Sequence, residues 1–213
     1  MSSKKQAKDL VFEYVRSGIL TGEMKSGQFL EEKHISEAVG VSRTPVREAF
    51  HQLESNRFIT LLPRHGAQVR AITGSELREV YESRRLIEAY AVQRICEQHY
   101  PLPPELRQLL AQIAETTETR DYVRRSIVDQ QFHHLIVATS RNNTLADLYT
   151  SLQVRQQRVA VAAMLANPDR GPRIDAEHER LVHALERHDA EAAIKVVHEH
   201  LQPDSAVMAN LPI

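Results

Sequence analysis

Cysteine, tryptophan and long apolar runs are scarce or absent in this sequence of 213 residues. Cys96 is the only cysteine, which excludes a disulfide framework and a thiolate metal site. The longest apolar run, residues 159–166, is far too short to span a bilayer, and the N-terminal residues have no apolar signal core. The sequence therefore predicts a soluble, cytoplasmic protein without a membrane partner.

Glycine and aromatic residues are also few, with only 7 Gly and an aromatic content of 5%. Good helix formers such as Ala, Leu, Glu, Gln and Arg dominate instead, which favours a mainly α fold. The net charge is only −1, but residues 1–72 have 11 Lys and Arg against 8 Asp and Glu. A basic N-terminal part before an acidic remainder is typical of a DNA-binding module attached to a second domain. Ordinary scatter of surface charge is the alternative.

Apolar periodicity divides the chain into two predicted domains. In residues 1–72 it predicts helices at 7–20, 31–39 and 43–56, followed by a β-hairpin within 57–72. Residues 75–213 are predicted to be helical throughout, with helices at 75–99, 104–118, 121–139, 143–166, 173–187 and 189–202. The expected fold is a winged helix-turn-helix over residues 1–72, joined to an all-α helical bundle over residues 75–213.

The most informative segment is VGVSRTPVREA, residues 39–49, where two short helices meet at a turn that contains glycine. This is the layout of a helix-turn-helix, whose second helix presents its N-terminal residues to the DNA major groove. Arg43 and Arg47 lie one turn apart, away from the apolar face, where arginine can contact guanine or phosphate. Ser42 and Thr44 can reach phosphates or base edges. A solvated helix face is the alternative for the two arginines taken alone.

The predicted hairpin extends this surface as a wing. Arg64 and His65 lie at its tip, and Gly66 permits a close approach of the backbone to DNA. The turn, the hairpin and the basic N-terminal part together make double-stranded DNA the expected partner. A homodimer would place two recognition helices in successive major grooves of a palindromic operator.

VGVSRTPVREAF, with SGILTGEMKSGQFLEEKHISEA before it and LESNRFITLLPRHGAQV after it, closely resembles the winged-helix domain of the GntR family of transcriptional regulators. The resemblance covers residues 10–72 and implies DNA contact by Arg43, Thr44, Arg47, His65 and Gly66. Lys33 lies where the family usually has a DNA-contacting arginine, so bidentate contact is not expected there. Arg57 replaces the glycine that usually precedes the wing.

Eight of the 11 histidines follow residue 73, and helical geometry separates those that point inward from the rest. At 100° per residue, His178 lies near the centre of the apolar face of its helix, and His200 lies roughly 60° from the centre of its own. Asp129 and His133 are one turn apart beside the apolar stripe of the 121–139 helix. The histidines predicted to point away are His134, His183 and His198.

One inward carboxylate and three inward imidazoles, from three helices, are costly to bury without a partner. The donor set suits a divalent ion, Zn²⁺ first, with Ni²⁺ or Mn²⁺ also compatible. An internally hydrogen-bonded polar network is the alternative on the residues alone.

The C-terminal part resembles the FCD ligand-binding domain of the FadR branch of GntR regulators. YESRRLIE, DQQFHHLI, SRNNTL, EHERLVHALERHD and HEHL follow one another in the expected order. The resemblance implies that Asp129, His133, His178 and His200 hold a metal, and that Arg84 faces an effector cavity. A salt bridge from Arg84 to Glu88, four residues on, is the alternative. Six helices in this domain would resemble the VanR-like subgroup.

These features predict a DNA-binding transcriptional regulator, expected to be a repressor, whose operator binding is modulated by a small organic acid or related metabolite at a metal-containing site. The carboxylate would bind the metal and a bidentate Arg84, with Tyr81, Gln130 and Arg155 expected nearby. A metal-responsive regulator without an organic effector is one alternative. A metal-dependent hydrolase is another, but the sequence offers no nucleophile motif, no phosphate loop and no separate general base.

Overall fold

The computed structural model describes residues 2–63 and 65–212, with side chains from residue 6 onward. Arg64, predicted at the tip of the wing, lies outside the described residues. The chain divides into two compact units, Met1–Ala71 and Ile72–Ile213.

The first unit contains three helices and a small antiparallel sheet. The helices are α1 (Ser2–Thr21), α2 (Glu32–Val39) and α3 (Arg43–Ser55), and the strands are β1 (Phe29–Leu30), β2 (Ile59–Leu62) and β3 (Gly66–Val69). The strand order is β1-β3-β2. Its core includes the predicted apolar face of α3, with Phe50 and Leu53 buried, and Val11 and Val15 of α1. The predicted hairpin is confirmed as β2 and β3, whereas β1 was not predicted because two residues are too few to show alternation.

The second unit is helical throughout its described residues. Its helices are α4 (Gly74–Glu97), α5 (Glu105–Thr119), α6 (Tyr122–Thr139), α7 (Asn143–Ser151), α8 (Gln153–Ala166), α9 (Gly171–Glu186), α10 (Ala190–His200) and α11 (Ser205–Ala209). A single 3-10 turn, Pro168–Arg170, precedes α9. Side chains of α4, α5, α6, α9 and α10 form the main apolar core, in which Ile95, Phe132 and Leu185 are fully buried. Within the described residues, no helix has both the length and the apolar composition needed to cross a membrane.

The prediction of one continuous helix over residues 143–166 is wrong. The helix is interrupted at Leu152, between α7 and α8. Two side chains donate to backbone carbonyls next to this break, the Ser151 hydroxyl to Leu148 and Gln130 Nε2 to Gln153 at 2.7 Å. The expectation of six helices is therefore also wrong, because the described part of this unit has α4 to α10 and the short α11.

Candidate functional site

Four side chains from three helices converge inside the second unit. Asp129 and His133 project from α6, His178 from α9 and His200 from the end of α10. One ligand atom from each lies within 4.8 Å of the others. The three histidines are buried, as helical geometry predicted, whereas His183 and His198 are exposed and His134 is half-buried.

The spacing of the ligand atoms fits a small cation. His133 Nε2 lies 3.2 Å from His178 Nε2, and Asp129 Oδ1 lies 3.3 Å from His178 Nε2 and 3.8 Å from His133 Nε2. Ligands about 2.1 Å from a tetrahedral zinc ion are about 3.4 Å apart, which is close to this spacing. The donor set of one carboxylate and three imidazoles therefore fits a divalent ion in both chemistry and distance.

Two glutamates hold the outer nitrogens of these imidazoles. Glu177 Oε2 forms a hydrogen bond with His200 Nδ1 at 3.0 Å, and Glu88 Oε2 lies 2.8 Å from His133 Nδ1, within ion-pair distance but outside hydrogen-bond geometry. A carboxylate at Nδ1 keeps the proton there and leaves the Nε2 lone pair for the centre of the cluster. From the sequence, Glu88 was expected only as an ion-pair partner of Arg84, and Glu177 was not predicted to take part.

Electrostatics favour the protonation states that a metal requires. Burial, reinforced by the neighbouring histidines, holds the pKa of His178 and of His200 well below its ordinary value, so both imidazoles are neutral. Burial by itself would raise the pKa of the Asp129 carboxyl. Its interactions with His133, His178 and Arg84 outweigh burial and lower that pKa, so Asp129 is an anion. Neutral nitrogens beside an anionic oxygen form a ready set of metal ligands.

Arg84 lies beside this cluster and is only partly satisfied. Its Nε donates to Glu88 Oε1 at 2.8 Å, so the salt bridge considered as the alternative is present. The Tyr149 hydroxyl donates to the same oxygen at 2.6 Å. Arg84 Nη2, however, is buried without a hydrogen-bond partner among the described residues. An unpaired N–H of a buried guanidinium costs free energy unless a ligand accepts from it.

A cavity of about 40 Å³ connects Arg84 with the cluster. Arg84, Asp129 and His200 line it, and so does Tyr81, as the sequence analysis expected. The volume is enough for a few water-sized groups. The expectation that Gln130 and Arg155 line the cavity is wrong. Gln130 instead donates to the backbone where α7 gives way to α8, a break that the sequence pattern did not show.

Five of the predicted DNA-contacting residues line one groove of the first unit. The exposed ones among all the predicted residues are Lys33, Ser42, Arg43, Thr44, Arg47 and His65, and Gly66 is half-buried. A groove of about 860 Å³ runs between α3 and the β2–β3 turn, and it is lined by Lys33, Arg43, Arg47, His65 and Gly66, together with acidic and apolar residues. Of the eight predicted residues, only Arg64 falls outside the described part of the chain.

The basic residues of this groove differ in their partners. Arg47 Nε donates to both carboxylate oxygens of Glu32, at 2.8 and 3.0 Å. Lys33 Nζ lies 3.9 Å from Glu37. Arg43 has no hydrogen bond or ion pair with any described residue. Ser42 occupies the N-cap position of α3, as predicted, but its side chain makes no capping hydrogen bond. Arg43 and the Ser42 hydroxyl are therefore available to an external ligand.

Backbone geometry explains two residues near the wing. Gly66 has φ of +84°, and a Cβ there would lie 2.3 Å from the carbonyl oxygen of Leu30. The close approach that requires glycine is thus to β1 of the same unit, whereas the sequence analysis expected it toward DNA. Arg57 has φ of +61°, the left-handed region that favours glycine. Arg57 therefore adopts the conformation of the glycine that it replaces.

Comparison with known proteins gives two family matches. Residues 79–203 match the FCD domain, and residues 7–69 match the bacterial regulatory proteins of the gntR family. The HTH-type transcriptional repressor RspR of Escherichia coli is 27% identical over 90% of this chain and 84% of its own length. The gluconate operon transcriptional repressor of Bacillus licheniformis is 26% identical over 87% of this chain and 78% of its own. These families and relatives are regulators of transcription, not enzymes.

Solved structures share the fold. E. coli McbR/YncC is 25% identical to this chain and superposes with a TM-score of 0.72, covering 95% of this chain and 97% of its own. The match extends over almost the whole of both proteins, so the winged helix-turn-helix and the helical domain occur together in each.

Proposed function

Because this chain belongs to the GntR family of DNA-binding transcriptional regulators and has an FCD domain, we propose that it is a repressor controlled by a small organic acid. The acid binds in the second unit, at the cluster formed by Asp129 and the three buried histidines. One observation carries the proposal: a four-donor cluster and the unpaired Nη2 of Arg84 border the same cavity.

The cluster would hold a divalent ion, with Zn²⁺ the first choice. Asp129, His133, His178 and His200 are its ligands, and when bound the ion supplies Lewis acidity that attracts a carboxylate oxygen. Glu177 fixes the tautomer of His200 by its hydrogen bond to Nδ1, and Glu88, 2.8 Å from Nδ1 of His133, favours the same tautomer there. Without a metal, the Nε2 atoms of His178 and His133 face each other at 3.2 Å.

Arg84 supplies the second contact to the acid. Its Nε is anchored by Glu88, which orients the guanidinium and leaves Nη2 to donate to an anion in the cavity. A carboxylate that accepts from a buried guanidinium forms a strong, charge-assisted hydrogen bond. The acid therefore satisfies a donor that the folded chain leaves without a partner. Burial of the site excludes water, which strengthens this interaction.

DNA recognition belongs to the exposed face of the first unit. Arg43 and Arg47 read bases or phosphates in the major groove, Ser42 and Thr44 support them, and the wing residues follow the adjacent backbone. We propose a homodimer on a palindromic operator, since two copies present two recognition helices. Regulation requires that the acid has different affinities for the DNA-bound and the free conformations. The relatives named as repressors support release of DNA as the outcome.

A thermal-shift screen of zinc-loaded protein tests the proposal. Small carboxylates are screened against the wild type, against His178→Ala, and against His183→Ala, a matched control because His183 is exposed on the same helix. A ligand that binds only the folded state raises the melting temperature by mass action. We expect at least one acid to stabilise the wild type and His183→Ala but not His178→Ala, and to release DNA in an anisotropy assay.

Two other results would contradict the proposal. If zinc alone changes DNA affinity and no acid shifts the melting temperature, the chain is a metal-responsive regulator without an organic effector. If neither zinc nor any acid has an effect, the four side chains form a structural polar network.

A further inference from the structure

Two more arginines line the cavity beside Arg84, and they differ in how they are satisfied. Arg125 is engaged on both sides: its Nη2 donates to Asp175 at 2.6 Å, and its Nη1 donates to the Ile113 carbonyl at 3.2 Å and to the Thr117 hydroxyl. Both terminal nitrogens of Arg125 are therefore occupied by hydrogen bonds within the protein. Arg125 holds α5, α6 and α9 together and has little capacity left for a ligand.

Arg170, unlike Arg125, is buried with an N–H group that has no hydrogen-bond partner among the described residues. It ends the 3-10 turn before α9, is 5% exposed, and lines the same cavity as Arg84 and Asp129. Its Nε is buried without a hydrogen-bond partner, and no described residue forms an ion pair with it. Its charge influences the carboxyls of Glu177 and Asp204, but both of these form their ion pairs with Arg173.

A buried guanidinium with an unpaired N–H is a donor prepared for an anion. Two residues of the cavity lining thus have such a donor: Arg84, through Nη2, on α4, and Arg170, through Nε, in the turn before α9. We propose that the effector is a short dianion, that its first acidic group binds at the cluster and Arg84, and that Arg170 binds the second. This inference rests on the proposed function and adds a specificity-determining residue to it.

The other residues of the lining indicate which kind of chain joins the two acidic groups of the ligand. Ala160, Ala163, Met164 and Ile174 contribute apolar surface, and Tyr122 and Ser126 add a few polar groups. Apolar walls fit methylene groups and offer nothing to a long polar chain. The small cavity volume of about 40 Å³ also favours a short ligand. A linear acid with a few carbons between two carboxylates has this shape.

The ion pairs in the cavity point the same way. Glu88 pairs with Arg84, and Asp175 pairs with Arg125. Arg170 has no such partner among the described residues, so it is the arginine of the lining that is left for a second acidic group of the ligand.

Isothermal titration of zinc-loaded, full-length protein with matched acids tests the inference. Succinate is compared with succinamate, and glutarate with glutaramate, so that each pair differs by one carboxylate replaced by an amide. We expect at least one diacid to bind about 10- to 100-fold more tightly than its monoamide, the usual effect of a hydrogen bond between charged groups. Zinc content is measured on the same samples and is expected to be equal.

Arg170→Met provides the second arm, and Arg187→Met is its control because Arg187 is exposed at the opposite end of α9. Arg170→Met should lower diacid affinity to that of the monoamide, while monoamide affinity and zinc content stay unchanged. Arg187→Met should behave as the wild type. Arg170→Lys, which keeps the charge but not the fork, should recover only part of the preference for the diacid.

The possible failures are distinguishable. Equal binding of diacid and monoamide by the wild type overturns the role of Arg170 and leaves the proposed function intact. Binding of a monoacid such as lactate without binding of either diacid has the same meaning. Absence of binding by every acid overturns the proposed function itself. The comparison of wild-type affinities remains decisive even if Arg170→Met fails to fold.

Discussion

Replacement of Glu88 by glutamine would test how the chain prepares its metal ligands. Glu88 is 1% exposed, and three groups converge on it. Its Oε1 accepts from Arg84 Nε at 2.8 Å and from the Tyr149 hydroxyl at 2.6 Å, and its Oε2 lies 2.8 Å from His133 Nδ1. Glutamine has the same shape but only one acceptor oxygen, so it cannot accept from both sides.

The amide orientation that preserves the hydrogen bonds from Arg84 and Tyr149 turns the new NH₂ group toward His133. Nδ1 must then accept a hydrogen bond, and the neutral imidazole has its proton on Nε2. A protonated Nε2 cannot ligate a metal. We therefore expect the zinc affinity of Glu88→Gln to fall about 10- to 100-fold, the usual range for loss of a partner of a ligating histidine. The buried Arg84 also loses its counter-ion, which lowers the free energy of unfolding by up to about 3–5 kcal/mol.

Competition with a chromophoric zinc chelator near neutral pH measures this affinity. Circular dichroism establishes that the variant is folded at the temperature used. Glu82→Gln is the matched control, since Glu82 is exposed on the same α4 helix. If Glu88→Gln is folded and binds zinc as tightly as the wild type, Glu88 serves only to neutralise Arg84, and the tautomer argument is refuted.

Three further predictions concern stability and DNA binding. Metal-free protein should lose stability as the pH falls below 6.5, because the unfolded chain protonates His178 and His200 whereas the folded chain keeps them neutral. Each histidine lowers the free energy of unfolding by up to about 1.4 kcal/mol per pH unit below 6.5. Urea denaturation that gave the same free energy of unfolding at every pH would contradict this. Gly66→Ala should destabilise the protein by about 2 kcal/mol or more beyond Gly22→Ala, which has a similar φ but open space around it. Equal melting temperatures would disprove the clash. Arg43→Met should weaken binding to a duplex selected from random sequences by about 10- to 100-fold, and unchanged anisotropy would exclude base contact.

Much of the site could be predicted from sequence because its ligands lie on regular helices. A period of 3.6 residues places His178 at the centre of an apolar face and His183 on the opposite side, and the structure has the first buried and the second exposed. The i, i+4 spacing of Asp129 and His133 likewise places both on one face. The helix-turn-helix could also be predicted, since a glycine commonly ends a helix and Gly40 ends α2 with φ of +75°.

The features that sequence patterns missed depend on contacts between elements. The break between α7 and α8 contains neither glycine nor proline, and Ser151 and Gln130 form side-chain hydrogen bonds to the backbone beside it. Glu177 lies on the apolar side of α9, and its role as the hydrogen-bond partner of His200 becomes visible only when α10 is packed against α9. Arg170 lies in a segment that sequence reasoning assigned to a helix break. Its burial follows from packing that periodicity does not describe.

Metal occupancy of purified protein is the most direct test of the central claim. Wild type, His178→Ala and His183→Ala are loaded with Zn²⁺, dialysed without chelator and analysed by mass spectrometry for bound metal. We expect about one ion per chain in the wild type and in His183→Ala, and loss of that ion in His178→Ala. Equal zinc content in the wild type and His178→Ala would contradict it, because a site that does not need His178 is not the cluster described.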